Sequence, residues 1–254
     1  MARRDGAAYH RGMKDTGQRP VAIVGGSAEA RLLAALLPGA VVRLPAPDRV
    51  PQDWACPVSV GPVDAAWLRG VGAVAVLIAP HPCDDGAAFQ AVRAARGAGL
   101  DYALVRRPPW RAARGDRWHS LRAATEARAV IPPGARVFVT LGRAGLGDLH
   151  GLRARAFVRR IGAPGGACPL RGGRFVPGQG PFTVRQEAGL LRTLRIGWLI
   201  TRNAGGPGGW PKLAAARQLG LKVAMIDRPR WPEGPLFDTA KGAIAWVTAR
   251  ISAG

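Results

Sequence analysis

The sequence is short of several residues on which small-protein architectures and common active sites depend. Its 254 residues include only three cysteines, Cys56, Cys83 and Cys168, an odd and widely spaced set with no C-x-x-C pair. That argues against a disulfide framework and against a zinc site, leaves no metal ligand set to assign, and fits a reducing compartment. Acidic residues number 16 against 37 basic ones. No two of them stand in an arrangement suited to acid–base work, so hydrolysis by a carboxylate dyad is not supported. Long apolar runs are missing too. The longest, such as Val71 to Pro80, fall far below the roughly 18 residues a membrane span needs. Residues 1–20 are polar and basic without a continuous apolar stretch, which reads as a flexible extension and not as a secretory signal.

What the chain has in excess is arginine. The net charge is +21, the isoelectric point is near 11.7, and Lys14, Lys212, Lys222 and Lys241 are the only lysines. A guanidinium fork binds carboxylate or phosphate through two parallel hydrogen bonds, so an anionic partner follows, either nucleic acid or an anionic small molecule. Alanine, glycine and proline are abundant alongside arginine, and a GC-rich composition is a competing source of the charge. Hydrophobic residues at 48% and charged residues at 21% match ordinary globular usage, and the length suits one large or two modest domains.

Val21 to Val24 followed by Gly25-Gly26-Ser27 and a helically spaced apolar stretch to Leu37 reads as strand, tight turn and helix. The alternation continues with strand 40–44, helix 62–69, strand 73–79, helix 85–97 and strand 102–106. After Arg107-Pro108-Pro109-Trp110 a second series follows: helix 120–130, strands 136–141 and 156–161, helix 183–194, strand 197–201, helix 210–219, strand 223–226 and helix 238–251, with a Gly/Pro-rich connection at 162–180. Strands that are apolar on both faces and separated by helices indicate parallel sheets. The expected fold class is α/β: two Rossmann-like, doubly wound parallel-sheet domains at 21–112 and 113–254 with an inter-domain cleft. Ligands would then sit beyond the carboxyl ends of the strands.

The turns after the strands are therefore the candidate sites. Gly25, Gly26, Ser27 and Arg31 form a nucleotide-loop candidate, although Ser27 and Ala30 stand where G-x-G-x-x-G has its second and third glycines. No acidic residue follows the second strand until Asp48, which favours NADP over NAD, with Arg43 or Arg49 meeting the extra phosphate. His81, between two prolines after the third strand, is the best-placed histidine. Gly142 and Arg143, Gly180-Pro181-Phe182 with Thr183 as helix cap, and Thr201-Arg202-Asn203 with Gly205, Gly206 and Lys212 are three further turns suited to anions. A Cys/His nucleophilic pair lacks an orienting third group.

Several of these segments, in this order and spacing, resemble the precorrin-6A reductases of cobalamin biosynthesis. VAIVGGSAEARLLAALL is similar to that family's opening strand and helix, and LVRRPPW with GDRW to its central segment. RVFVTLGRAGL and GPFT with Glu187 match two further stretches, and TRNAGG with KLAAARQLGLKVAMIDRP is the most specific match. Departures fall in the first half: IAPHPCD keeps His81 and Pro82 of a DATHPFA-like segment, an AGR-T stretch appears only as LPAPDR, and a glycine-rich GG-x-GG turn is reduced to Val60-Gly61-Pro62.

The resemblance implies NADPH-dependent reduction of one double bond of precorrin-6A by hydride transfer to the macrocycle, giving precorrin-6B, in the cytoplasm. Among the turns already named, the cofactor candidates are then Gly25, Gly26, Ser27, Arg31, Arg43, Arg49, Gly142 and Arg143. The macrocycle candidates are His81, Gly180, Pro181, Phe182, Thr201, Arg202, Asn203, Gly205, Gly206 and Lys212, and no catalytic residue is assigned. The substrate's acetates and propionates and the cofactor's phosphates account for the arginine. Contacts with neighbouring enzymes of the pathway are open. The alternatives are the cobalt-containing form of the substrate, a non-catalytic carrier of the macrocycle and, least supported, a nucleic-acid-binding protein, since the eight tryptophans belong to no nucleic-acid motif.

Overall fold

The computed structural model describes residues 19–48, 52–162 and 166–252. The chain divides into two compact units: one runs to Arg107 and resumes at Pro229, and the other is Pro108–Arg228. Each is a parallel-sheet α/β structure.

In the first unit the strands are β1 (Val21–Val24), β2 (Val41–Leu44), β3 (Val58–Val60), β4 (Ala75–Ile78) and β5 (Asp101–Val105). Helices α1 (Ala28–Leu36), α2 (Ala65–Gly70) and α3 (Asp85–Gly97) connect them. Strands β1 and β4 are buried along their whole length, as continuous apolar runs require in a sheet covered on both faces. Ser27, Asp64 and Asp84 cap the three helices, each accepting a backbone N–H from the first turn.

In the second unit the chain forms β6 (Arg117–Leu121), α4 (Ala127–Val130), β7 (Arg136–Val139), β8 (Arg155–Arg160), β9 (Arg174–Pro177), α5 (Val184–Thr193), β10 (Trp198–Arg202), α6 (Trp210–Gln218) and β11 (Lys222–Ile226). It then returns to the first unit with β12 (Leu236–Phe237) and α7 (Ala240–Ile251).

The sheet orders are β12-β5-β4-β1-β2-β3 and β6-β11-β10-β7-β8-β9, every pair parallel. Apart from the outermost strand beside β5 and beside β11, both follow the same winding: three strands laid down in one direction, then a jump back across the first. The reversal falls between β1 and β4 in the first unit and between β7 and β10 in the second, and such points are where open α/β sheets bind ligands. In both units the sixth strand comes from the segment of chain that enters the unit, β12 after the return and β6 after the first crossing.

Three expectations from sequence need correction. The boundary lies at Arg107/Pro108, not after residue 112, and the second domain does not extend to residue 254. Leu236 and Phe237 pair with Leu104 and Val105, and α7 buries Ala240, Ala243 and Val247 in a core cluster with Val21, Ile23 and Leu33. The helix expected at 120–130 begins as strand β6, whose residues register with Lys222 to Ile226. The Gly/Pro-rich connection at 162–180 contains strand β9. Strands β6, β9 and β12 are short, partly exposed edge or near-edge elements whose pairing depends on distant partners, so no local apolar run announces them. The expected extension at residues 1–20 falls almost wholly outside the described residues. Among those described, no helix is long and apolar enough to cross a membrane.

Candidate functional site

At the first unit's reversal point, glycine is required by the chain itself. A Cβ on Gly25 would lie 2.7 Å from Leu44 Cδ2, and Gly26 adopts φ +131 with its Cβ position 3.3 Å from the His81 backbone nitrogen. The turn between β1 and α1 therefore packs directly on the Pro80-His81 segment after β4, bringing Gly26 and His81 together. Ser27 is buried, and its hydroxyl is committed within the turn: it donates to the Ala79 carbonyl at 2.8 Å and accepts from Ala30 N–H at 3.2 Å. What the turn offers outward is backbone. Gly26 is exposed and lacks a side chain, and the first N–H groups of α1 have no intrahelical acceptor.

A carboxylate in that first turn, Glu29, would repel an anion, but Arg107 pairs with it at 2.6 Å. Two stretches that carry the family resemblance, EAR and RRPPW, are joined by that bond. His81 is exposed and its Nδ1 accepts the Cys83 N–H at 3.2 Å. Arg31 lies half-buried on α1. Arg43 donates from Nε to the Pro62 carbonyl at 3.1 Å and lies 5.5 Å from the Trp67 ring centroid, so its side chain runs along the Gly61-Pro62 segment. Arg49 lies outside the described residues.

The second unit's reversal point is built from side chains. Arg159 on β8 forms an ion pair with Glu187 on α5, the two side chains being 9% and 4% exposed, and its guanidinium lies 4.2 Å from the Phe182 ring centroid and 5.0 Å from that of Phe138. Thr183 caps α5 in a reciprocal arrangement with Gln186, fixing Gly180, Pro181 and Phe182 at the helix entrance. Lys212 on α6 donates to the Gly209 carbonyl at 2.9 Å and sits 5.2 Å from the Trp110 ring centroid. Burial lowers its ammonium from 10.5 to about 8, an effect that Glu187 opposes and Arg159 reinforces.

The loop after β10 is a clamp on the segment that enters this unit. Asn203 accepts the Trp110 N–H through Oδ1 at 2.8 Å and donates from Nδ2 to the Trp110 carbonyl at 3.0 Å. The Trp110 indole donates to the Gly206 carbonyl at 2.9 Å. Arg228 donates to the carbonyls of Asn203, Ala204 and Pro108. Gly205 has φ +67, and a Cβ there would fall 2.1 Å from the Pro108 carbonyl oxygen.

Asn203, Gly205 and Gly206, expected as ligand contacts, are thus spent on holding Trp110 and Pro108. Thr201 is buried at the end of β10. Arg202 extends over Gly145, 3.0 Å from that residue's Cβ position, and its guanidinium forms no ion pair among the described residues. Gly142 begins the short 3-10 segment Arg143–Leu149 after β7, so it and Arg202 belong to the same reversal point. The Arg143 side chain lies outside the described residues. Sequence reasoning missed Arg159, Trp110 and Arg228, because nothing separates one arginine from 32 others or one tryptophan from seven until the partners are seen.

Two doubly wound parallel sheets, each with anion-suited groups at its reversal point, define an α/β protein of the kind that binds anionic ligands beyond its strand ends. A family model described as precorrin-6x reductase CbiJ/CobK matches residues 20–248, and the chain belongs to that family. It is 37% identical over 245 residues to the precorrin-6A reductase of Rhodococcus erythropolis, covering 89% of this chain and 96% of that one. Its identity to the precorrin-6A reductase of Rhodobacter capsulatus is 34% over 241 residues, covering 89% and 94%. A shorter match, 32% over 182 residues, covers 66% of this chain and 60% of the cobalt-precorrin-6A reductase of Methanothermobacter thermautotrophicus. A solved structure of CobK precorrin-6A reductase superposes with a TM-score of 0.85 at 32% identity, over 91% of this chain and 97% of that one.

Proposed function

We propose that this chain reduces precorrin-6A to precorrin-6B with NADPH, by hydride transfer to the macrocycle, as a step of cobalamin biosynthesis. The observation that carries this reading is the span of the family match, residues 20–248, which takes in both units and both reversal points.

The first unit's turn fits a dinucleotide. Gly26 has no side chain and faces outward, the N–H groups of Ala28 and Glu29 at the start of α1 are open to a phosphate, and the Glu29–Arg107 pair cancels the carboxylate of that first turn. Gly25 and Ser27 shape the turn, and Arg31 adds positive charge on the same helix. When bound, NADPH supplies a hydride from its nicotinamide ring. Arg43 or Arg49, at the end of a second strand with no acidic residue, serves the extra phosphate of NADP, and Gly142 and Arg143 provide further cofactor contacts.

The macrocycle's carboxylates are held by Lys212 and Arg202, with Phe182 and its neighbours Gly180 and Pro181 giving an apolar contact backed by Arg159. His81 is a further macrocycle contact. Thr201, Asn203, Gly205 and Gly206 act by fixing the loop in which Arg202 and Trp110 are set. Lys212 keeps its charge at neutral pH, because about 8 still lies above 7. A positive charge seated in apolar surroundings attracts a carboxylate more strongly than one in water.

The test is anaerobic incubation of the purified protein with precorrin-6A and NADPH, following nicotinamide absorbance and macrocycle spectrum together, with NADH and enzyme-free controls. Coupled loss of NADPH and a change in the macrocycle spectrum is expected. Macrocycle binding without turnover would overturn the reading in favour of a carrier. Turnover only with cobalt-precorrin-6A would favour the activity named for the Methanothermobacter relative.

A further inference from the structure

The strands β7, β8 and β9 are parallel, so their first residues share one edge of the second unit's sheet, opposite the edge that carries the reversal-point loops. Those first residues are Arg136, Arg155 and Arg174. Arg136 and Arg155 are register partners, and Arg174 registers with Phe157. All three guanidinium groups gather on the fully buried Phe157 ring, at 4.7, 6.0 and 4.7 Å from its centroid. Arg195, at φ +49 just before β10, joins them. Partial burial and the like charges of Arg155, Arg195 and Arg174 push Arg136 below its ordinary value. None of the four forms an ion pair among the described residues. This is a concentration of positive charge with no ion-paired counter-charge among the described residues, at an edge that the reductase reading does not use.

The same edge opens on a pocket of about 820 Å³. Its basic groups are His150, Arg153, Arg155 and Arg171, and among the described residues no carboxylate lines it. Its apolar lining is Leu152, half-buried against the core cluster on the sheet face opposite Phe157, with the buried Leu149 and Leu170 of that cluster. The volume falls within the ordinary range of small-molecule sites, roughly 300–1,000 Å³.

We propose that this pocket is a second binding site, for a flat, apolar-bodied molecule bearing several carboxylates. The choice of ligand class rests on the reductase reading, since that class includes its macrocycle. Arginine forks match carboxylates in a planar, two-bond geometry. The leucine lining suits a ring and would be wasted on inorganic phosphate. Extended nucleic acid calls for a stripe with stacking aromatics, and the lining has no aromatic ring apart from His150. The neighbouring Arg136, Arg174 and Arg195 add long-range attraction for the same anions.

Uroporphyrin, a flat polycarboxylate, is the probe, titrated into the full chain at physiological salt with bound equivalents counted by fluorescence and calorimetry. The variant R153S/R155S/R171S removes the pocket's arginines, all exposed, and R93S/R122S/R128S removes the same charge elsewhere. Circular dichroism and melting verify folding, and the single exchange Arg171→Glu should by itself weaken the site at least fivefold. The pocket variant should bind one equivalent fewer than the wild type and retain turnover of precorrin-6A, while the charge-matched variant keeps every equivalent.

Unchanged stoichiometry in the pocket variant, or equal loss in the charge-matched variant, overturns the site. Equal competition by butanetetracarboxylate, which has the carboxylates but no ring, overturns the ligand class. Failure of the wild type to turn over precorrin-6A overturns the reductase reading instead, and leaves the count of equivalents as a separate result.

Discussion

The two units wind their sheets in the same order and reverse at equivalent places, yet they equip those places differently. In the first, three polar side chains near the β1–α1 turn are committed within the unit: Ser27 to Ala79 and Ala30, Glu29 to Arg107, and Arg43 Nε to Pro62. Backbone N–H groups and the absence of a Cβ at Gly26 are what remain. In the second, Lys212, Arg159, Glu187 and Trp110 crowd together, and the local electrostatics come from side chains. On the proposed function, one topology supports two ways of meeting an anion. Backbone amides suit a phosphate that must approach closely, and long cationic side chains suit carboxylates spread around a ring.

The largest effect is expected from Glu187→Gln. It strands Arg159 as a buried charge beside Lys212, and breaking a buried pair in this way costs about 3–5 kcal/mol. Calorimetry should show the second unit melting lower with the first unit's transition unmoved. Asn203→Ala comes next. Two hydrogen bonds to the Trp110 backbone disappear, leaving an N–H and a carbonyl without partners, for a loss of about 2–3 kcal/mol in urea titration. A structural clamp predicts that the macrocycle KM rises with that loss while the NADPH KM does not.

Gly26→Ala sharpens the contrast from the other side. Its φ of +131 and the His81 nitrogen at 3.3 Å from the added Cβ predict a cost of about 1–3 kcal/mol. Steady-state kinetics should give a NADPH KM raised about tenfold with the macrocycle KM unchanged. For Lys212 the expected effect is a pH profile. Its folded-state pKa, about 8, lies below the ordinary 10.5, so keeping it charged destabilises the fold below pH 8. That cost is released as pH rises from about 8 to 10.5, where the folded protein has lost the proton and the unfolded chain still holds it. The stability difference between the wild type and Lys212→Met should therefore drift toward the wild type across that window, and the wild-type macrocycle KM should climb above pH 8. The smallest effect belongs to Arg43→Ala, whose Nε is already bonded to Pro62. The NADPH preference over NADH should narrow by no more than about tenfold, measured as the ratio of kcat/KM values.

Much of this was legible before any coordinates. The runs VAIV, AVLI, RVFV and WLIT are apolar on both faces, so they could be read as central parallel strands, and each was followed by a candidate turn. The outer strands were not legible. RWHSL alternates and carries charge, and LF is two residues long, so each becomes a strand only by pairing with β11 or β5. The return of residues 229–254 to the first unit was hidden for the same reason. At the sites, the glycines were found but their reasons were not: Gly25 is fixed by Leu44, and Gly205 by Pro108, contacts that span about 20 and 100 residues of chain. Lys212 stood out among four lysines, whereas Arg159 was lost among the arginines until Glu187 and Phe182 singled it out.

The central claim is the division of labour between the two reversal points, and the most direct measurement is a crossed binding experiment. Calorimetric titration of NADP⁺ and of the reduced macrocycle into Gly26→Ala and into Lys212→Met gives four affinities to set against the wild type. The account predicts that the first variant loses about tenfold toward NADP⁺ alone and the second about tenfold toward the macrocycle alone. If either variant weakened both ligands equally, or if the losses were exchanged, the assignment of cofactor to the first unit and macrocycle to the second would be contradicted.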